Sequence, residues 1–218
     1  MKSVPVAALV ALTLLGTGCT ARGAADPEAG QAAAKWAVAS LDTPAPPGSS
    51  LPQLTVADGR ALLSWVERSG SAATLKFAER TTAGWSAPHT VGSGTNWFVN
   101  WADVPSVFRL ADKTLAAHWL QKSGAGTYAY DVRLAFSKDD GRTWSASTTP
   151  HHDGTQTEHG FASLFQAPGA GLGLVWLDGR AMKPGHHGGA GAGAMTIRGA
   201  IFDKAGKQIS ETALDERV

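Results

Sequence analysis

Three stretches of the chain repeat one arrangement of apolar and polar positions. Pro52–Trp65, Ser106–Trp119 and Ser163–Trp176 each run 13 residues to a tryptophan without a gap. Leu54, Phe108 and Phe165 stand two residues in, Asp58, Asp112 and Gly169 mark a turn six residues in, and Leu63, Ala117 and Leu174 stand two before the tryptophan. Alternating apolar positions on either side of a polar or glycine turn predict two antiparallel strands, because side chains two apart along a strand share a face. The tryptophans are 54 and 57 residues apart. A variable loop and a further strand follow each of them, at Leu75–Ala78, Leu134–Ser137 and about Ile197–Ile201. The first two copies then reach Gly84-Trp85-Ser86-Ala87 and Thr143-Trp144-Ser145-Ala146, the same hairpin exit twice. In the third the exit degrades to Asp203-Lys204-Ala205-Gly206. Units of this length, with four short strands each, predict an all-β chain built as the blades of a β-propeller.

The second exit completes a recognisable turn. Ser137-Lys138-Asp139-Asp140-Gly141-Arg142-Thr143-Trp144 reads S-x-D-x-G-x-T-W, the Asp-box pattern. Ser137 and Asp139 can accept hydrogen bonds from backbone N–H groups of the turn, Gly141 supplies a positive φ, and Trp144 leaves along the next strand toward the core. The motif is a structural fastener and carries no catalysis. Trp65, Trp119, Trp176, Trp85 and Trp144 belong to the repeat and are expected in the core, whereas Trp97 and Trp101 stand outside it.

The Asp-box, together with the W-x-D-x-R stretch of Trp176, Asp178 and Arg180, resembles the sialidase-type propeller superfamily, and within it the bacterial sialidase-like lipoproteins. The resemblance covers about Leu51 to Val218. It implies a six-bladed ring, of which three blades are visible here. Since closing the ring is how a propeller avoids exposed sheet edges, the chain is expected to be a fragment of a longer product. The alternatives are a ring completed by self-association with a second copy, or an open arc.

The first residues read as an export signal. Lys2 precedes an apolar run from Val4 to Leu15 and then Gly16-Thr17-Gly18-Cys19. That run is too short for a permanent membrane span. Small residues before the only cysteine suggest a lipobox, so residues 1–19 are expected to be a signal peptide with Cys19 lipidated. The alternative is plain secretion. Residues 20–50, rich in Ala, Gly, Pro and Ser, read as a tether that could reach on the order of 100 Å if extended. The propeller is then 51–218. The expected location is the bacterial cell envelope, membrane-anchored through the lipid, or outside the cell.

If the fastened turn closes one end of the sheets, chemistry is expected in the loops at the other: Val91–Asp103, Gln121–Asp131, Pro150–His159 and Leu177–Gly193. Those loops collect polar and aromatic residues, and sites form on loops held by a rigid scaffold. Sugars stack apolar faces on indoles and bridge carboxylates, amides and guanidinium groups. Asp103, Glu158 and Tyr130 are therefore the candidate catalytic groups, with Trp97, Asn100, Trp101, His159, Asp178 and Arg180 the candidate substrate-binding ones. A tyrosine nucleophile is what the sialidase resemblance implies. The same resemblance implies an arginine in an R-I-P motif, but Asp103-Val104-Pro105 stands in that register, so a carboxylate-bearing sugar faces an acid. Two functions follow: a glycoside hydrolase, or a non-catalytic surface propeller that binds glycan or protein. Formal net charge is +1 and there is no basic run, so nucleic acid is not an expected partner. No cofactor is implied. No metal site is expected either, because His151, His152, His186 and His187 occur as adjacent pairs without a spaced carboxylate set.

Overall fold

The computed structural model of the chain describes residues 37–57, 59–182 and 193–216. Cys19, the export signal, Asp58, and His186 and His187 within the glycine-rich stretch lie outside the described residues. The chain divides into Met1–Leu41 and Asp42–Val218, and every strand belongs to the second unit.

Three antiparallel sheets follow one another along the sequence. The first contains β1 (Ser50–Ala57), β2 (Arg60–Ser69), β3 (Ala72–Thr81), the short β4 (Gly84–Trp85), and β5 (His89–Gly94), which also pairs with β3. The second contains β6 (Ser106–Arg109), β7 (Leu115–Lys122) and β8 (Tyr130–Ser137), with Thr148 bridging Leu134 at its outer edge. The third runs β9 (His159–Gln166), β10 (Leu172–Asp178), β11 (Thr196–Phe202) and β12 (Gln208–Asp215). The three repeats read from the sequence are the β1–β2, β6–β7 and β9–β10 hairpins, each in its expected order. The turn before β10 is a single 3-10 turn at Pro168–Ala170, where Gly169 has φ 73°.

The middle sheet explains why β7 reads as an unbroken apolar run. Leu115, Ala117 and Trp119 face a core shared with Leu62, Val66, Leu75 and Phe77 of the first sheet. Ala116 and Leu120, on the other face, join a core with Leu172, Leu174, Trp176, Ala200 and Phe202 of the third. A strand covered on both faces has no reason to alternate. His118 lies in the same run, buried, with neither ring nitrogen hydrogen-bonded. Buried Arg109 links the first two sheets, donating to Glu79 at 2.9 Å and Asp140 at 3.0 Å.

The Asp-box turn has the geometry its residues predict. Ser137 Oγ accepts from the Gly141 N–H at 2.9 Å, and Asp139 accepts from the Thr143 N–H at 2.9 Å and from its hydroxyl at 2.6 Å. The Thr143 hydroxyl, then its N–H, hold the Asp139 carboxyl down to about 2. Gly141 has φ 83°, and a Cβ there would meet the Phe77 ring at 2.5 Å, so the glycine is required twice over.

The repeat tryptophans are not equally buried, which corrects the expectation that all five are core. Trp65 and Trp176 are fully enclosed and Trp119 nearly so. Trp85 and Trp144 are half-buried: Trp85 donates to the Asp42 carbonyl at 2.9 Å, and Trp144 meets Phe77 edge-on. The hairpin exits lie at the outer margin of the sheets, where one side of an indole stays in water.

Candidate functional site

The ends of the strands opposite the Asp-box turn gather most of the expected residues. Asn100 builds an Asx-type turn, its Oδ1 accepting from the N–H groups of Ala102 (2.6 Å) and Asp103 (2.7 Å). Its amide Nδ2 donates to Asp103 Oδ2 at 3.0 Å. Asp103 is buried, and its Oδ1 accepts from the Phe161 N–H. Tyr130, the first residue of β8, is enclosed with its ring stacked on Phe98 at 4.0 Å. The phenol reaches Glu158 Oε1 at 2.7 Å and Asp103 Oδ2 at 3.2 Å. All three groups expected to act on a glycosidic bond therefore meet at one hydroxyl.

That hydroxyl has a single proton and can donate to one carboxylate at a time. Burial first, then the hydrogen bond to Glu158 and the charges of Asp103 and Glu158, push the Tyr130 phenol well above its usual value. The phenol is thus a donor that orients the carboxylates. Gly160 keeps the cluster tight: a Cβ there would lie 2.8 Å from Asp103 Oδ1 and 2.9 Å from Tyr130 Cε2. Phe161 beside it has φ 49°, a left-handed backbone unusual for a bulky residue, held by the bond to Asp103.

A second cluster lies one residue away along both strands. Asp131 follows Tyr130, and His159 follows Glu158. The His151 and His159 rings stack with centroids 3.8 Å apart and planes 7° from parallel. Asp131 Oδ1 faces one edge of the stack, 3.8 Å from His151 Nε2 and 3.6 Å from His159 Nδ1. Asp153 Oδ2 faces the other, 3.2 Å from both His151 Nδ1 and His159 Nε2. Burial lowers the His151 imidazole, with the charge of His159 adding to it. Burial also pulls His159 down, but Asp131, Asp178 and Asp153 outweigh it and hold that ring above its ordinary value. Burial would raise Asp153, yet the Thr155 hydroxyl and N–H and the two imidazoles bring it below the usual carboxylate range. The expectation that no carboxylate set joins the histidines fails here: Asp153 lies two residues beyond His151 in the same loop, and Asp131 reaches both rings from the start of β8. Among the described residues, Asp131, His151 and His159 form one set that could hold a metal ion, and Asp153, His159 and Asp178 another.

Asp178 and Arg180 are already engaged with protein groups. The guanidinium donates to both Asp178 oxygens, at 2.7 and 2.8 Å, and to Glu211 at 2.7 Å. Asp178 Oδ2 also accepts from the Trp176 indole at 2.7 Å. These residues were expected to bind substrate, but the geometry uses them to join β10 to β12. His159, expected in the same role, is wholly enclosed. Trp97 stacks on Trp119 at 5.1 Å and packs against the first core, so its ring is spent on packing. Trp101 differs, standing 89% exposed on the turn that carries Asp103.

Sequence reasoning placed Asp131, His151 and Asp153 in loops at this end of the sheets but missed their grouping with His159. It also missed a local signal: Trp65 donates to Glu67 at 2.9 Å as Trp176 does to Asp178, so indole and acid two apart pair on one strand face. Gln121 holds the equivalent place after Trp119, and that indole has no hydrogen-bond partner.

No protein-family profile matches the chain, and no curated protein is detectably similar to it in sequence. Solved structures do resemble it. The GH93 α-L-arabinofuranosidase of Fusarium graminearum, in complex with arabinobiose, aligns with a TM-score of 0.53 at 10% identity, covering 75% of this chain and 49% of that one. An α-L-arabinofuranosidase from Lactobacillus brevis aligns at 0.50 with 11% identity, covering 83% and 61%. This chain therefore spans between half and two thirds of the length of these neighbours. The likeness is one of fold, to glycoside hydrolases of the β-propeller type.

Proposed function

We propose that the three sheets are successive blades of a carbohydrate-active β-propeller that hydrolyses glycosides at the face carrying Asp103, Tyr130 and Glu158. The observation that carries this reading is the Tyr130 hydroxyl, which lies within 3.2 Å of an oxygen of each carboxylate and can donate to either. Glu158, the more accessible of the two acids, is the proton-transfer group, and Asp103 is its partner. Carboxylates sharing one hydroxyl are under about 6 Å apart, closer to the spacing of retaining than of inverting glycosidases. Trp101 offers an exposed indole face on which a sugar ring can stack. Two acids side by side repel a carboxylate, which argues for a neutral sugar over sialic acid. The arabinofuranosidase neighbours put α-L-arabinofuranosides first among substrates to try.

The test is release of chromophore from aryl α-L-arabinofuranoside, β-xyloside and sialoside by the full chain. Turnover of a neutral substrate is expected, with retention of configuration and a fall of roughly 100-fold in Glu158→Gln. Turnover unchanged in that variant would remove Glu158 from the reaction.

The burial of Tyr130 and Asp103 favours a second reading, a propeller that binds glycan without cleaving it. A silent substrate panel, with glycan-array binding that disappears in Trp101→Ala, would select it.

The charged start, short apolar run and Gly-Thr-Gly-Cys sequence further support export and lipid anchoring through Cys19. In a bacterial host the protein should fractionate with membranes, and Cys19→Ser should move it to the soluble fraction. A membrane-bound Cys19→Ser protein contradicts the anchor.

A further inference from the structure

We propose that Asp131 Oδ1, His151 Nε2 and His159 Nδ1 are three ligands of a divalent transition-metal ion of the zinc type, fastening the start of β8 to the segment that leads into β9. These atoms converge within 4.8 Å of one another. Each is buried and none has a hydrogen-bond partner, in a site where both histidines are at least nine-tenths enclosed. The opposite edges of the two rings explain the orientation. His151 Nδ1 and His159 Nε2 both lie 3.2 Å from Asp153 Oδ2, and Asp153 is itself held by the Thr155 N–H at 2.9 Å and by the Thr155 hydroxyl. For His151, whose Nδ1 is hydrogen-bonded to Asp153, that carboxylate draws the ring proton to its own side and leaves Nε2 a lone-pair donor. His159 Nε2 lies near the same oxygen but makes no hydrogen bond, so neither nitrogen of that ring is committed to a protein partner. The two ring nitrogens and the Asp131 oxygen that face one another are unpartnered, and a cation between them would bond to all three.

The donor set selects the class of ion. Two imidazoles with one carboxylate suit zinc and its neighbours, with water completing the shell, whereas calcium and magnesium favour oxygen donors. The alternative set around Asp178 already has its cation in Arg180. Because the rings are nearly parallel, an ion lying along both lone pairs requires the stack to open. Asp131 adjoins Tyr130 and His159 adjoins Glu158, so a bound ion would hold in register the two segments that carry those side chains. The inference is independent of the glycosidase reading.

The test uses the full chain, stripped with chelator, titrated with zinc chloride by calorimetry, then gel-filtered for metal analysis. One retained zinc per chain and a raised melting temperature are expected. Asp131→Asn should weaken binding on the order of 100-fold, and Asp153→Asn by about 10- to 100-fold. A His186→Ala/His187→Ala double variant should bind as the parent does. Cobalt substitution of the parent protein should give the strong visible bands of a four- or five-coordinate site, a readout that needs no variant to fold. No retained zinc, affinity unchanged in Asp131→Asn, or weak octahedral-type cobalt bands would each overturn the proposal. Loss of binding in the double variant would assign the ion to His186 and His187 and overturn it equally.

Discussion

Trp176→Ala lowers stability by about 3–5 kcal/mol, the cost of emptying an enclosed aromatic site. The indole is 1% exposed and packs in the core that joins the second and third sheets. Its N–H is also one of the donors that satisfy buried Asp178. The substitution therefore removes apolar contacts and weakens the hydrogen-bonding of a carboxylate that Arg180 is left to hold. Trp176→Phe, which restores most of the volume but not the donor, should cost less. Trp144→Ala, at a half-buried ring with one side in water, should cost less again. Urea unfolding of the three variants provides the comparison, read as midpoint changes at constant slope. If Trp144→Ala proves as damaging as Trp176→Ala, enclosure by two sheets does not set the energy.

His118 should make the protein acid-sensitive between about pH 6.5 and pH 4. Burial brings this imidazole from its ordinary 6.5 down to about 4. As pH falls through 6.5 the unfolded chain takes up the proton and the folded chain does not, so stability declines until the folded-state value is reached, then levels off. Complete development of that difference amounts to about 3 kcal/mol. Neither ring nitrogen has a partner, and strand alternation puts His118 on the same face of β7 as Ala116 and Leu120, so little opposes the burial. His118→Leu should remove this part of the pH slope and leave the rest, including any contribution from the carboxylates. The measurement is unfolding free energy at several values from pH 7.5 to pH 4 for both proteins. Parallel curves would mean that His118 is solvated or paired in the folded state.

The candidate triad illustrates how far loop reasoning reaches. Residue order puts the Asp-box at one end of the sheets and Asp103, Tyr130 and Glu158 at the other. Hairpin order alone brings them to one face, and they meet. The same reasoning could not separate a residue that faces solvent from one beneath it. Trp97 and Trp101 are four apart in one loop, yet Trp97 stacks on Trp119 while Trp101 is exposed. Arg180, a candidate for binding substrate by sequence, is held by Asp178 on one side and Glu211 on the other.

The repeated hairpins and the fastened turn were legible from residue order, because each depends on a period of two, a glycine or a side chain bonding backbone within four residues; the four strands expected of every unit were not, since the sheets have five, three and four. The stacked histidines between Asp131 and Asp153, the two-faced burial of β7 and the burial of His118 were not legible either. They depend on how neighbouring sheets press together, and contacts across tens of residues leave no local pattern to read.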